Sequence, residues 1–70
     1  MNEFSRNSRN AQVWRYQRSG SRAVRLEVRE LWLEAAEAWR RAAWIAPRTD
    51  WQLFAGKRAE HCYRRCRGRG

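Results

Sequence analysis

The segment Leu26–Ala46, LEVRELWLEAAEAWRRAAWIA, carries the strongest helical pattern of the chain. It contains neither Gly nor Pro, and its main apolar stripe recurs at intervals of three or four residues: Trp32, Ala36, Trp39, Ala43 and Ala46. This spacing places side chains on one face of an α-helix. A second stripe lies directly beside it: Leu31, Ala35, Ala38, Ala42 and Ile45. The combined arc is wider than a two-stranded coiled coil requires, so we expect a helix that is covered on two sides within a small bundle.

The amino-terminal side of this segment contains no helix-breaking residue. Val24 and Val28 continue the apolar arc toward the amino terminus, and Ser21 is a residue type that caps helices. No residue between Val28 and Trp32 is a breaker by propensity. The periodicity therefore predicts one central helix over about residues 22–46.

The carboxyl-terminal end of the central helix is marked by Pro47, which lacks an amide hydrogen and disfavours helical geometry at the preceding residue. The next four residues, Thr49-Asp50-Trp51-Gln52, resemble a capping box with Thr49 as the N-cap. We therefore expect a second helix over about residues 50–65, antiparallel to the first because the connection is short. Gly56 either weakens this helix or permits close approach of the central helix.

Length and composition indicate one domain with unstructured ends. Residues 1–20 are rich in Asn, Ser and Arg without a sustained period, and we interpret them as a flexible basic arm with room for a nascent helix at Ala11–Arg18. Residues 21–66 form the predicted helical domain, and residues 67–70 form a basic tail that frays. Chains with cores near about 40 residues usually need a metal, disulfides or a partner. We predict an all-α fold, a small helical hairpin or three-helix unit with flexible basic termini, that associates as a homodimer.

The net charge of +9 is concentrated at the two ends of the chain. Residues 1–25 carry six Arg and one Glu (+5), residues 57–70 carry one Lys, five Arg and one Glu (+5), and the middle carries −1. Such ends attract polyanions by counterion release. A small nucleic-acid-binding protein that acts through Arg-rich ends is therefore one functional alternative, without base-specific reading because no helix presents a clean polar face. Its candidate contacts are Arg15, Arg18, Arg64, Arg65, Arg67 and Arg69.

Patterns for catalysis and metal binding are absent from the sequence. His61, Cys62 and Cys66 are the only His and Cys residues, one ligand short of a tetrahedral zinc site within one chain. Adjacent His61 and Cys62 lie on different helix faces and do not form a nucleophile–base pair. We expect no enzyme activity, no metal and no cofactor, with Cys62 buried and Cys66 partly exposed. The remaining acidic side chains are interpreted as the solvated face of the central helix: Glu27, Glu30, Glu34 and Glu37.

The sequence also lacks targeting features. No run of about 18 apolar residues predicts a membrane span, and the amino terminus lacks the apolar stretch of a secretory signal. We therefore expect a cytoplasmic protein that binds no membrane and whose two cysteines stay reduced.

The order of residues in the helical domain resembles a known family. The run Ala35-Ala36-Glu37-Ala38-Trp39, then Ala42-Ala43, Ala46, Trp51, Arg58-Ala59-Glu60 and Cys62, is similar to the pattern AAxxW…AA…A…W…RAxxC of the ANR proteins, the small AraC negative regulators of Gram-negative bacteria and their phages. The similarity covers roughly residues 31–62. Family members carry a Gly-containing turn before this pattern, where the present chain has Arg29-Glu30-Leu31. The resemblance therefore leaves open a division of residues 22–46 into two helices.

The resemblance implies a transcription regulator that acts by protein contact. ANR proteins bind activators of the AraC/XylS type and repress their activity, and some contact histone-like nucleoid proteins. The residues that carry the pattern are Trp39, Trp51, Arg58 and Cys62. We expect the partner to bind an aromatic helical face that consists of Leu31, Trp32, Leu33, Trp39, Trp44, Ile45, Trp51 and Phe54. Since Trp44 lies about 140° around the helix from Trp39, one neighbouring helix cannot cover both indoles, and Trp44 should lie in an exposed patch that joins two chains.

Overall fold

A computed structural model describes the backbone of residues 2–69 and the side chains of residues 10–66. Helix α1 spans Asn2–Val28, α2 spans Trp32–Ile45 and α3 spans Thr49–Arg69. Helix α2 packs against both of its neighbours, whereas α1 and α3 meet mainly through side chains. The all-α class is confirmed, and of the two expected architectures the chain adopts the three-helix unit.

The chain turns between α1 and α2, so residues 22–46 are divided between two helices, as the family resemblance allowed, and do not form the one helix that periodicity alone predicts. At this turn the Leu31 amide donates to the Leu26 carbonyl over 2.9 Å. The Glu30 amide donates to the Glu27 carbonyl over 2.8 Å. These two bonds form a Schellman motif, and Glu30 adopts the left-handed backbone that the motif requires, with φ 62°. Leu26 and Leu31 both pack into the core, so burial stabilises a turn that contains no Gly.

The prediction of a flexible arm at residues 1–20 is also wrong, since α1 includes almost all of this segment. Its helix is supported by contacts that are distant in sequence. Tyr16 stacks on Trp51, with the ring centroids 5.0 Å apart. Gly20 lies against the tip of the Trp39 indole. Tertiary packing therefore supplies the stabilisation that the weak apolar period of this segment does not indicate.

The predicted break at Pro47 is confirmed, since α2 ends two residues before it and Ala46 is extended with ψ 130°. Helix α3 begins slightly earlier than expected. The carbonyl of Arg48 accepts the amide hydrogen of Gln52 over 2.9 Å, which is the first hydrogen bond of a helix. Arg48, and not Thr49, therefore occupies the N-cap position.

Helix α3 is longer than the predicted range 50–65. It continues to Arg69, so most of the segment 67–70 that we expected to fray is helical. A Cβ atom added at Gly56 would meet no heavy atom within 4 Å, apart from its chain neighbours and its own helix backbone. Gly56 therefore does not serve a close approach between α2 and α3.

The core is built mostly from small side chains. Among the buried residues that the structure describes, Trp39 is the only aromatic one, with 4% of its surface exposed. The buried set consists of Ala23, Leu26, Ala35, Ala36, Trp39, Ala42, Ala46, Ala55, Ala59 and Cys62. Alanines let helices approach closely, but each buries little apolar area. The molecule is correspondingly thin, with Cα dimensions of 52 × 20 × 12 Å.

We predict that Glu30→Gly has a free energy of unfolding about 1 kcal/mol above that of Glu30→Ala, because both variants lack the glutamate side chain and only Gly adopts a left-handed backbone without strain. Urea unfolding followed by far-UV circular dichroism measures this change. The matched control is Glu37→Gly in the interior of α2, which should lower the free energy of unfolding by about 0.5–1 kcal/mol. A Glu30→Gly protein that is no more stable than Glu30→Ala would contradict the left-handed turn.

Candidate protein-interaction surface

Side chains from α2 and α3 converge on the carboxylate of Glu27 in α1 and form what we call the Glu27 cluster. The indole Nε1–H of Trp39 donates to Oε2 of Glu27, and the Arg58 guanidinium donates to Oε1. The thiol of Cys62, one turn further along α3, lies close enough for the charge of this carboxylate to act on it. Only 13% of the Glu27 side chain is exposed, so its interpretation as part of a solvated face is wrong. The Glu27 cluster ties all three helices together.

The Glu27 cluster shifts the pKa values of both its acidic groups. Burial opposes ionisation of Glu27, but the hydrogen bonds from Trp39 and Arg58 and the positive charge of Arg58 outweigh it and hold the pKa of the carboxyl below its ordinary value. Burial raises the pKa of the Cys62 thiol to about 11, and the charge of Glu27 adds to this effect. At neutral pH the cluster therefore combines an ionised carboxylate with an unreactive thiol.

Three of the four residues that carry the ANR-like pattern belong to the Glu27 cluster: Trp39, Arg58 and Cys62. The role of the Glu27 carboxylate, which joins them, was not predicted from the sequence. A signal for it was present, because Tyr16, Gly20, Ala23 and Glu27 recur at helical spacing. The first three of these residues lie against the other helices, and Glu27 lies on the same face of α1.

Three indoles of the predicted partner-binding face are covered by the chain itself. Trp39 lies in the core. Trp51 stacks on Tyr16 with an interplanar angle of 21°. The guanidinium of Arg65 lies 4.5 Å from the ring centre of Trp32. These indoles contribute to intramolecular packing, so the eight predicted residues do not form one continuous surface.

The remaining members of that face are at least partly accessible. Trp44 is 81% exposed while Trp39 is 4% exposed, which confirms that one neighbouring helix cannot cover both indoles. Leu33 and Phe54 are about half exposed, and the Phe54 ring also makes an edge contact with the Trp39 indole. Two further members are half-buried: Leu31 and Ile45.

The exposed Trp44 side chain borders a groove between α2 and α3, which we call the Trp44 groove. The groove has a volume of about 650 Å³ and is lined by Arg40, Ala43, Trp44, Gln52, Gly56, Ala59, Glu60 and Tyr63. Small residues from both helices leave the space open, while Trp44 and Tyr63 provide aromatic surface. Arg40 donates a hydrogen bond of 3.3 Å to the Tyr63 hydroxyl and so links the two helices. Glu60 adds the opposite charge to the lining.

Protein-family models, curated proteins and solved structures were compared with the chain. None of them matches it.

Within the part of the chain that the structure describes, no group of three His, Cys, Asp or Glu side chains is placed to hold a metal ion. No described helix is both long and apolar enough to cross a membrane.

The candidate nucleic-acid contacts in α3 are only partly visible. The side chains of Arg67 and Arg69 lie outside the described residues. Arg64 forms an ion pair of 3.5 Å with Glu60, one turn earlier in α3. Arg65 lies over an indole of α2. The described arginines near the carboxyl terminus are thus engaged in contacts within the chain.

We predict that Glu27→Gln lowers the free energy of unfolding by about 1–3 kcal/mol at neutral pH, because the amide leaves the guanidinium of Arg58 without its partner charge. Since the folded pKa of Glu27 lies below its ordinary value of 4.5, its ionic contribution is complete above pH 4.5 and disappears as pH falls through the folded pKa. Urea unfolding across this range should show the wild-type and Glu27→Gln curves converging at acid pH. Glu37→Gln, on the exposed side of α2, is the control with little effect. A difference that persists at low pH would place the effect outside this carboxylate.

We predict that a thiol reagent such as Ellman's reagent labels one cysteine of the folded chain at pH 8. Cys66 is partly exposed, whereas Cys62 is buried and its raised pKa of about 11 keeps the thiolate scarce. The Cys66→Ser protein should therefore react slowly until urea unfolds it, and the Cys62→Ser protein should react at once. Equal rates for the two folded variants would contradict the burial of Cys62.

Proposed function

We propose that this chain is a small regulatory protein that binds a transcription activator of the AraC/XylS type and represses its activity. The resemblance to the ANR proteins supplies the identity of the partner. The Trp44 groove supports the mode of action, since an indole with 81% exposure borders an open groove of about 650 Å³. Exposed apolar surface of this kind marks interaction sites, and Trp is enriched among the residues that dominate binding energy.

An amphipathic helix of the activator is the structure that fits the Trp44 groove best. The groove lies between two antiparallel helices, as in other cases where a helix docks its apolar face into a groove. Covering one indole removes roughly 150–250 Å² from water, which is worth about 4–6 kcal/mol before the costs of association. Arg40 and Glu60 offer opposite charges to the partner and favour one orientation of its helix.

The same groove supports the proposed homodimer. In a two-fold arrangement, Trp44 of each chain enters the groove of the other, so that one self-complementary surface serves both chains. Self-association then competes with activator binding. The proposed place of action is the cytoplasm, and contact with a nucleoid protein rests on the family resemblance alone.

A non-catalytic role agrees with the chemistry of the Glu27 cluster, in which the carboxylate is saturated by donors and the thiol is held neutral. The alternative function, nucleic-acid binding through the Arg-rich ends, has weaker support at the carboxyl-terminal end of the chain. Arg64 and Arg65 already contact Glu60 and Trp32 within the chain.

We predict that Trp44→Ala and Gly56→Leu each weaken binding to a purified AraC/XylS-type activator by about tenfold or more, equivalent to about 1.4 kcal/mol. The first variant removes the exposed indole, and the second fills the groove, where a side chain meets open space. Isothermal titration calorimetry measures the affinity, and an activator-dependent reporter measures repression. The matched apolar control is Leu53→Ala, since Leu53 is also a large, exposed apolar side chain but does not line the groove.

Sedimentation of the same variants at about 100 μM tests the homodimer on the same surface. Both groove variants should shift the equilibrium to monomer, and Leu53→Ala should not. Full binding and repression by both Trp44→Ala and Gly56→Leu would refute the groove as the partner site. A folded wild-type monomer at this concentration would refute the homodimer separately.

A further inference from the structure

Five exposed arginines form a stripe along α1 and its carboxyl-terminal turn. Arg15, Arg18, Arg22, Arg25 and Arg29 are separated by three, four, three and four residues, the spacing of one helix face. The last four line one groove of about 630 Å³, together with Ser19, Leu26 and Glu34. At 1.5 Å per residue the stripe is about 21 Å long. We call these five residues the Arg stripe.

The Arg stripe is poorly neutralised by the rest of the described chain. None of its members forms an ion pair with another described residue. Glu34 is the one carboxylate in the lining of its groove, and Glu37 lies in the adjoining groove beside Arg22 and Arg41. A local excess of positive charge therefore faces solvent along one side of α1.

Folding does not account for this arrangement. Like charges three or four residues apart on a helix destabilise it by a few tenths of a kcal/mol per pair. The helix dipole favours cations in the last turn, which explains Arg25 and Arg29 but not the three arginines before them. Like charges repeated at a spacing that destabilises the helix are expected where the charges bind an external anion.

We propose that the Arg stripe binds the phosphate backbone of double-stranded nucleic acid. A guanidinium matches the geometry of phosphate and forms two parallel hydrogen bonds with it. Duplex DNA carries one negative charge per about 1.7 Å of axis, so a length of duplex equal to the stripe carries on the order of ten phosphates on its two strands. Clustered arginines along one helix are the electrostatic footprint expected for such a ligand.

Single-stranded nucleic acid fits the surroundings of the Arg stripe less well. Binding of single strands relies on aromatic rings that stack on bases. Tyr16 is already stacked on Trp51, which leaves Trp14, 57% exposed, as a single ring beside the stripe, whereas a bound single strand stacks successive bases on several rings. Ser19 is the one uncharged polar side chain that lines the groove, so the lining contains no Asn or Gln that could pair with adenine. The site shares no residue with the Trp44 groove and does not depend on the proposed regulatory function.

The test is a salt series with a fluorescein-labelled DNA duplex and the full chain, read by fluorescence anisotropy. In the triple variant Arg18→Gln, Arg22→Gln, Arg25→Gln, binding should weaken, and the slope of log K against log salt should become shallower by about 2.7, since each phosphate contact contributes about 0.9. The control is Arg48→Gln, Lys57→Gln, Arg64→Gln, which changes the net charge equally at exposed positions away from the stripe. Far-UV circular dichroism verifies that both variants are folded.

Retention of the wild-type slope by the control, together with its loss in the stripe variant, supports the site. Equal losses in both triple variants would show that net charge alone drives binding, which would overturn the proposal. Tighter binding to one strand of the same duplex would overturn the assignment to double-stranded nucleic acid. No activator is present in this assay, so its failure leaves the Trp44 groove untouched, and failure of the groove variants leaves the Arg stripe untouched.

Discussion

The carboxylate of Glu27 is the contact on which the three-helix arrangement depends. Helices α1 and α3 meet little through their backbones, and Glu27 bridges them by accepting hydrogen bonds from Arg58 of α3 and Trp39 of α2. Alanine surfaces fit together in several similar ways, because each contact contributes little area. Directional hydrogen bonds to one largely buried charge favour the observed packing over alternative packings of the same helices. A packing that separates Glu27 from Trp39 and Arg58 leaves the charge without these donors.

The small core also determines what remains outside. Helix α2 has a neighbour on two sides, and Trp39 fills the space between them. Trp44 lies five residues further along, on a side of α2 that neither neighbour covers. A chain that is 12 Å thick in its thinnest Cα dimension has no third layer to place there. The exposed indole and the alanine core thus have one cause, which is that the three described helices form a layer too thin to cover α2 on every side.

The features that sequence predicted are those with local causes. The stripe through Trp39 and the break at Pro47 need only helical geometry and the missing proline amide hydrogen, and both are found. The turn at Glu30 was not predictable in this way, because a Schellman motif is usually marked by Gly and here burial of two leucines stabilises it instead.

Features with distant causes were missed. Residue type suggested that Glu27 is solvated, but Arg58 reaches it from 31 residues away and makes burial favourable. The helix at residues 10–20 likewise depends on Tyr16 meeting Trp51, a contact that no local period reveals. In the candidate interaction surface, exposure of Trp44 followed from helix geometry alone. The coverage of Trp32 and Trp51 depended on where cations and rings of other helices lie.

The two proposed surfaces bind their partners through different physical interactions, so one does not replace the other. Binding in the Trp44 groove depends on removing apolar surface from water and responds weakly to salt. Binding by the Arg stripe depends on counterion release and adds no sequence preference. If both surfaces operate, nucleic-acid binding through α1 concentrates the chain where a DNA-bound activator lies. When both proteins are bound to the same duplex, they meet at an effective concentration set by their separation, which adds to the intrinsic affinity of the groove.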